Sequence, residues 1–86
     1  MLNLVQNQSN TCYTFVTLWG GVAPYTLKMV SNLDRDVTQN FILTLDNYGD
    51  RKRYVITPTV MLGTYDYTIE DDLGNTYEIG LAEITE

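Results

Sequence analysis

The sequence predicts an all-β fold, an antiparallel β-sandwich of about seven strands, and three observations predict it. No stretch keeps a helical period, and apolar residues instead alternate with polar ones or form short β-branched and aromatic runs. Clusters of Asn, Asp and Gly separate these runs. The runs begin about 8–12 residues apart, a spacing typical of sandwiches and of barrels, so a partly closed barrel remains the alternative. Because 86 residues are enough for one domain only, we expect residues 1–86 to form a single unit.

The first four strands follow from alternation between polar turns. They are predicted at Leu2–Gln6, Thr11–Leu18, Tyr25–Ser31 and Val37–Leu45. In the third strand Tyr25, Leu27 and Met29 share one face. In the fourth, Phe41 and Leu43 share the inward face, so both strands predict a core on one side.

The fifth and sixth strands are predicted at Arg53–Thr57 and Thr64–Asp71. The turn-forming residues of 46–52 predict a loop before the fifth strand. Pro58 ends that strand because it cannot donate to a ladder. In the sixth strand, Tyr65, Tyr67 and Ile69 are predicted to face the core.

The seventh strand, predicted at Thr76–Ile84, has two competing apolar faces. One face carries Tyr77, Ile79 and Leu81, and the other carries Ala82 and Ile84. A β-bulge at Gly80 is expected to correct the phase.

The segment before the last hairpin has the pattern of a tyrosine corner. In immunoglobulin-like sandwiches a Tyr near the start of the sixth strand sends its hydroxyl back to a nearby backbone group. Here Tyr65 has that position, and Gly63 lets the chain turn tightly into the strand. Tyr67 stands where antibody domains carry a disulfide cysteine. The predicted sandwich is therefore immunoglobulin-like and has no disulfide.

The charge balance excludes several classes of partner. The chain has five Lys or Arg and eleven Asp or Glu, a formal net charge of −6. Nucleic acids and anionic membrane surfaces attract basic proteins, so neither is expected as a partner. No apolar run approaches the ~20 residues of a transmembrane helix. The N-terminus lacks the pattern of a signal peptide, so synthesis in the cytosol is expected.

Catalytic chemistry has little support in the sequence. The single cysteine, Cys12, reads as a small buried residue, because a nucleophilic Cys usually needs a His partner and the chain has no histidine. The absence of histidine also removes most zinc-site and serine-triad chemistry. We expect no enzyme activity, no cofactor and no metal centre.

An acidic turn raises one question about metal binding. Glu70, Asp71 and Asp72 carry oxygen ligands of the kind that Ca²⁺ prefers. The ligand spacing of a known calcium loop is missing. A solvated acidic turn is therefore favoured over a calcium site.

Three segments are candidate partner contacts. Trp19 lies in a predicted loop and could anchor a partner. The run Arg51, Lys52 and Arg53 carries three of the five positive charges, and such runs also keep strand edges soluble. The first strand, with Leu2 and Leu4, could add to a neighbouring sheet.

Four segments of the sequence carry a resemblance to a known family. They are the opening "NLVQNQSNTCYTFVTL", the segment Pro24–Leu27, the pattern Gly63-x-Tyr65-x-Tyr67-x-Ile69 and the pair Gly80-Leu81. The chain resembles short β-sandwich virion structural proteins of tailed phages infecting Bacteroidetes, including crAss-like phages. The resemblance implies a non-enzymatic virion protein, made in the host bacterial cytoplasm and present in many copies or as a homo-oligomer. It implies contacts with capsid or connector proteins, as a capsid-decorating, cementing or head–tail connector-associated subunit.

A rival hypothesis comes from another class of protein. A small sandwich could bind a glycan through Trp19 and Tyr48, with neighbouring Asn and Asp side chains. Aromatic rings stack on sugars, and amides and carboxylates bind their hydroxyls. The sequence leaves both hypotheses open.

Overall fold

Every regular element in the described part of the chain is a β-strand. The computed structural model describes residues 1–14 and 21–86. The strands are β1 (Leu2–Val5), β2 (Asn10–Thr14), β3 (Tyr25–Ser31), β4 (Thr38–Leu43), β5 (Asp46–Tyr48), β6 (Arg51–Ile56), β7 (Gly63–Glu70) and β8 (Thr76–Thr85). None of the described residues belongs to a helix that could span a bilayer.

The strands form two hydrogen-bonded sheets, an arrangement consistent with a β-sandwich. The larger sheet has five strands in the order β1-β8-β7-β3-β4, and the smaller has three in the order β2-β6-β5. Side chains from both sheets meet in one apolar core. Leu27, Met29, Tyr65 and Ile69 represent the large sheet there, and Tyr54 represents the small one. The predicted all-β class is confirmed.

The two strands at the centre of the fold agree with their predictions. β3 has the predicted bounds, and its Tyr25, Leu27 and Met29 are buried. β7 begins at Gly63 and buries Tyr65 and Tyr67, as predicted for its inward face. Both strands have one apolar face only, so alternation alone predicts which side chains enter the core.

The segment 46–52 is not the predicted loop. It contains β5 and the start of β6, which pair as a hairpin and raise the strand number to eight. Gly49 has φ 62°, which lets the hairpin turn close without strain. Arg53 pairs with Asp46 across the hairpin, and the Lys52 ammonium donates to the Asn47 side chain. These contacts turn a polar stretch into a short edge strand.

The two ends of the predicted strand set also differ from expectation. β1 runs parallel to β8, so the sheets are not wholly antiparallel, and the Gln6 N–H continues the pairing by donating to the Thr85 carbonyl at 2.7 Å. The side chain of Asn10 closes the turn after β1 by bonding the backbone of Val5. β2 ends at Thr14 within the described residues, and the rest of the predicted second strand, 15–18, lies outside them.

The bulge in the last strand lies earlier than predicted. The pairing of β7 with β8 shifts between Ile69 and Glu70, where one extra β8 residue, Tyr77, is inserted. The prediction of a bulge at Gly80 is therefore wrong. Gly80 is needed for another reason, because a Cβ there would lie 2.9 Å from Cε1 of Tyr67. The glycine makes room for that ring in the core.

The chain turns into β7 through the contact that a tyrosine corner uses. The Tyr65 hydroxyl donates to the Met61 carbonyl at 2.6 Å, and the Tyr65 side chain has no exposed area. Gly63 has φ 140°, a backbone conformation that favours glycine. The bond ties the 57–62 segment to the start of β7.

Removal of this hydroxyl tests its contribution to stability. Tyr65→Phe leaves the Met61 carbonyl without its buried donor, so we expect a loss of about 1 kcal/mol in the free energy of unfolding. Tyr48→Phe removes an exposed hydroxyl and is the matched control. Urea unfolding measures both, and equal stabilities of the two variants would contradict the role of the bond.

Candidate functional site

The outer face of the small sheet presents aromatic and basic side chains together. Alternation in the three strands directs Tyr13, Tyr48, Arg51, Arg53 and Val55 outward. We call these five residues the basic aromatic face. Tyr13, Tyr48 and Val55 are 41%, 52% and 56% exposed. Exposed aromatic side chains next to arginines are typical of contact surfaces.

The face is ordered by contacts between its own side chains. Tyr13 on β2 and Tyr48 on β5 meet across β6, with ring centroids 5.2 Å apart and planes at 48°. The Arg53 guanidinium carbon lies 5.2 Å from the centre of the Tyr48 ring. Arg53 also lies 3.5 Å from a carboxylate oxygen of Asp46. Such aromatic and cation–π contacts contribute about 0.5–1 kcal/mol each, so they hold the side chains in place before any partner binds.

The basic run does not act as one patch. Arg51 and Arg53 point outward, whereas Lys52 lies on the opposite side of β6 and donates to Asn47. Two of the three predicted contact residues therefore share the basic aromatic face. The period of two in a strand divides the run, because successive side chains alternate between sheet faces.

The other predicted contacts lie elsewhere. The Leu4 side chain is 1% exposed and belongs to the core, so a partner contact at this residue would be made by its backbone, and the contact stays a prediction. Leu2 is packed partly against the same core. Among the described residues β1 pairs with β8 alone, so strand addition to β1 would use its outer backbone edge. Trp19 lies outside the described residues.

A half-buried carboxylate links the two sheets at the interior. Glu78 on β8 accepts a bond of 2.9 Å from the Thr14 hydroxyl on β2 and one of 2.7 Å from the Tyr67 hydroxyl. Burial, then the bond to Glu78, raises the pKa of Tyr67, so this tyrosine stays a donor. The Glu78 carboxylate thus has one hydroxyl partner from each sheet.

Cys12 lies beside this carboxylate and is not activated. Burial raises the pKa of its thiol, and the charge of Glu78 adds to the rise. The Tyr54 hydroxyl faces the thiol, a weak partner, and no stronger acceptor lies within hydrogen-bonding distance among the described residues. A protonated, buried thiol is a poor nucleophile. The cluster is a polar part of the core in which Glu78 has hydroxyl partners, while the Tyr54 hydroxyl has only the thiol beside it among the described residues.

The acidic turn after β7 is occupied by internal donors. Oδ1 of Asp71 accepts from the backbone N–H groups of Leu73 and Asn75, at 3.0 and 2.9 Å. Oδ2 accepts from the Val22 N–H, the Asn75 amide and the Tyr77 hydroxyl. A calcium ion would have to displace these five donors, and the described residues contain no group of three or more possible metal ligands. Asp71 therefore has a structural role in joining the hairpin to the 21–24 segment.

A shallow cleft of about 290 Å³ opens at the end of the sandwich where β3 ends and β7 begins. Its walls are Ser31, Asn32, Leu33, Leu62, Gly63 and Thr64. The side chains in this lining include no acid or base that could activate the hydroxyls of Ser31 and Thr64.

Sequence reasoning missed Tyr13, Asp46 and Val55 as members or neighbours of the surface. Tyr13 had a readable signal, because it stands between the inward residues Cys12 and Thr14. Its contact with Tyr48 had none, because it depends on β2 and β5 flanking β6. The hairpin that brings Tyr48 into the sheet was predicted as a loop.

Comparison with known proteins adds no relative. No protein-family model, no curated protein and no solved structure matches the chain. No residue role is therefore transferred from a relative. Function is inferred from the surfaces described above and from the resemblance in the sequence.

The Asp71 turn predicts a pH dependence of stability. Burial alone would raise the pKa of Asp71, but the bonds from Asn75, Tyr77 and Val22 outweigh it and lower the pKa from 3.8 to about 2. A lowered folded-state pKa means that the stabilisation is complete above about pH 3.8 and is lost as the pH falls towards 2.

Thermal unfolding between pH 5 and 2 would measure this loss in the wild type, and Asp71→Asn should have a flatter profile at a lower starting stability. Asp72→Asn, which changes the exposed neighbour, is the control and should keep the wild-type slope. A wild-type slope in Asp71→Asn would contradict the assignment.

Proposed function

We propose that this chain is a non-enzymatic virion structural protein of a tailed bacteriophage. It decorates or cements the capsid, or associates with the head–tail connector, and it acts through protein–protein contacts in a multi-copy assembly. The observation that carries the proposal is the basic aromatic face, an ordered and exposed contact surface on an otherwise acidic molecule. The resemblance of the sequence to short phage virion proteins supplies the biological setting, the virion.

The strand order supports an immunoglobulin-like version of the sandwich. The immunoglobulin-like fold has seven strands of its own numbering. Its second, fourth and fifth strands lie in one sheet, and its third, sixth and seventh strands lie in the other. β2, β6 and β5 form the small sheet, while β8, β7 and β3 are neighbours in the large one. The bond from Tyr65 to Met61 has the position of the tyrosine corner. Such sandwiches commonly serve as adhesive building blocks.

The interior supports a role without catalysis. Cys12 is held protonated by burial, and Glu78 is engaged by hydroxyls from both sheets. The carboxylate of Asp71 is filled by backbone and side-chain donors. These polar groups stabilise the fold, so the surface is left to carry the function.

The chemistry of the surface fits protein recognition. Tyr and Arg are enriched among the residues that contribute most to interfaces, because each combines apolar area with hydrogen-bond donors. Tyr48 and Arg53 are already packed on one another, so little side-chain freedom is lost on binding. β1 and β4 are edge strands of the large sheet in the part of the chain that the structure describes, and they offer a further route, strand addition.

Binding to isolated virion proteins tests the proposal. The purified chain should bind capsid or connector protein, and Tyr48→Ala and Arg53→Ala should weaken that binding about tenfold or more, as residues at the centre of an interface do. Arg35→Ala removes an exposed arginine outside the basic aromatic face and is the matched control. Failure of the wild-type chain to bind any shell, connector or tail protein would overturn the proposal.

A glycan-binding module is the second candidate, and one observation favours it. Tyr13 and Tyr48 form an exposed pair of rings on the same side of the sheet as the carboxylate of Asp46. This is a platform on which a sugar ring could stack. Titration of the purified chain with glycans should then shift the NMR signals of both tyrosines. Absence of any shift, together with binding to a virion protein, would exclude this candidate.

A further inference from the structure

We propose that copies of this chain associate head to tail, with the basic aromatic face of one copy seated on an acidic face of the next. The inference rests on the proposed multi-copy function and specifies its first partner, a second copy of the same chain. The two surfaces lie on opposite sides of the molecule, one on each sheet.

The charges of the chain are divided unequally between its parts. Segment 46–53 contains three positive and two negative residues, a net charge of +1. The rest of the chain contains two positive and nine negative residues, a net charge of −7. The β5–β6 hairpin is therefore a positive region on a strongly acidic protein, and an acidic surface is its complement.

The outer face of the large sheet provides such a surface. Alternation in β7 and β8 directs Asp66, Glu70, Ile79, Leu81 and Glu83 outward, and we call these five residues the acidic face. Lys28 on the neighbouring β3 lies on the same side of the sheet. Ile79 is 76% exposed and Leu81 is 41% exposed. Two neighbouring aliphatic side chains flanked by carboxylates match the two tyrosines and Val55 flanked by arginines on the opposite side.

Some of these charges are already paired within the chain. Lys28 lies 3.3 Å from Glu70, Arg35 lies 2.7 Å from Asp66, and Asp46 lies 3.5 Å from Arg53. All three pairs are partly exposed, so water screens them and each contributes little by itself. The apolar side chains would supply most of the association energy, and the charges would select which faces meet.

The size of the smaller face limits the strength of the contact. The three strands of the small sheet lie about 4.8 Å apart and are at most six residues long, so their outer face covers roughly 300 Å². This is below the ~800 Å² that each partner contributes to a standard interface, so the contact is expected to be weak and to need a high protein concentration. A chain of this size also gains stability from association, because a small domain buries a modest share of its surface.

Contact between two different faces has a geometric consequence. A stack of copies has one unoccupied face at each end, so further copies can add and the association grows into a ring or a filament. A contact of one face with itself would instead stop at a dimer. This difference makes the proposal testable with two variants.

Light scattering of the purified chain at increasing concentration is the first measurement. At about 0.1 M salt the long-range repulsion between acidic copies is screened while close contacts persist. We expect the mass to rise from that of the 9.8 kDa monomer beyond that of two chains. At about 1 M salt, where screening reaches about 3 Å, the apparent association constant should fall about tenfold or more.

Two charge reversals separate the faces. Arg53→Glu should weaken association about tenfold through the basic aromatic face, and Glu83→Lys should do so through the acidic face. Asp72→Lys makes the same charge change as Glu83→Lys away from both faces and should associate as the wild type does. Circular dichroism and thermal unfolding confirm that each variant is folded.

The mixture of the two reversals is decisive. Arg53→Glu keeps an intact acidic face, Glu83→Lys keeps an intact basic aromatic face, and the two reversed faces carry opposite charges, so the mixture should regain the association that each variant alone has lost. A wild-type chain that stays monomeric at every concentration would overturn the proposal. So would a Glu83→Lys variant that associates normally, since the acidic face would then have no role.

The result is separable from the test of function. If the wild-type chain is monomeric and binds a virion protein, and Arg53→Ala weakens that binding, the head-to-tail inference fails and the structural function stands. If the chain stacks but binds no virion protein, the inference stands and the proposed setting fails.

Discussion

One extra residue in the last strand decides the character of both sides of the large sheet. The bulge at Tyr77 reverses the alternation of β8, so that Glu78 turns inward and Ile79 turns outward. The inward carboxylate then bonds hydroxyls from the two sheets. Downstream of the bulge, Ala82 and Ile84 complete the core. Because the side-chain period of a strand is two, a single insertion moves every later side chain to the other face.

The same insertion explains why this small protein has exposed aliphatic side chains on a regular sheet. Ile79 and Leu81 lie outside because the phase that buries Ala82 and Ile84 leaves no other position for them. The hairpin of β5 and β6 has a comparable effect on the opposite sheet, where it sets Tyr48 beside Tyr13. Both outer faces thus combine exposed apolar area with charged side chains, arginines on the small sheet and carboxylates on the large one.

Much of the fold and part of the candidate site could be predicted from the sequence. β3 and β7 each have one apolar face, and turn residues delimit them, so a single phase buries their side chains. The contact of Tyr65 with the backbone followed from Gly63 and from its position before the last hairpin. Arg51 and Arg53 could be identified as candidates by charge, because basic residues are scarce in the chain.

The sequence by itself therefore determined the all-β class and the central strands, and it identified Arg51 and Arg53 as candidates for recognition. Only the tertiary structure decided which face of β8 enters the core, since Ile79 lies on one apolar face of the strand and Ala82 on the other. The choice depends on which side chains of β7 and β2 contact the strand. The tertiary structure also decided that Leu4 belongs to the core and that Tyr13 meets Tyr48. Such contacts join residues distant in the chain, and local propensity carries no record of them. The physical reason is that the register between paired strands and the packing between the two sheets depend on each other.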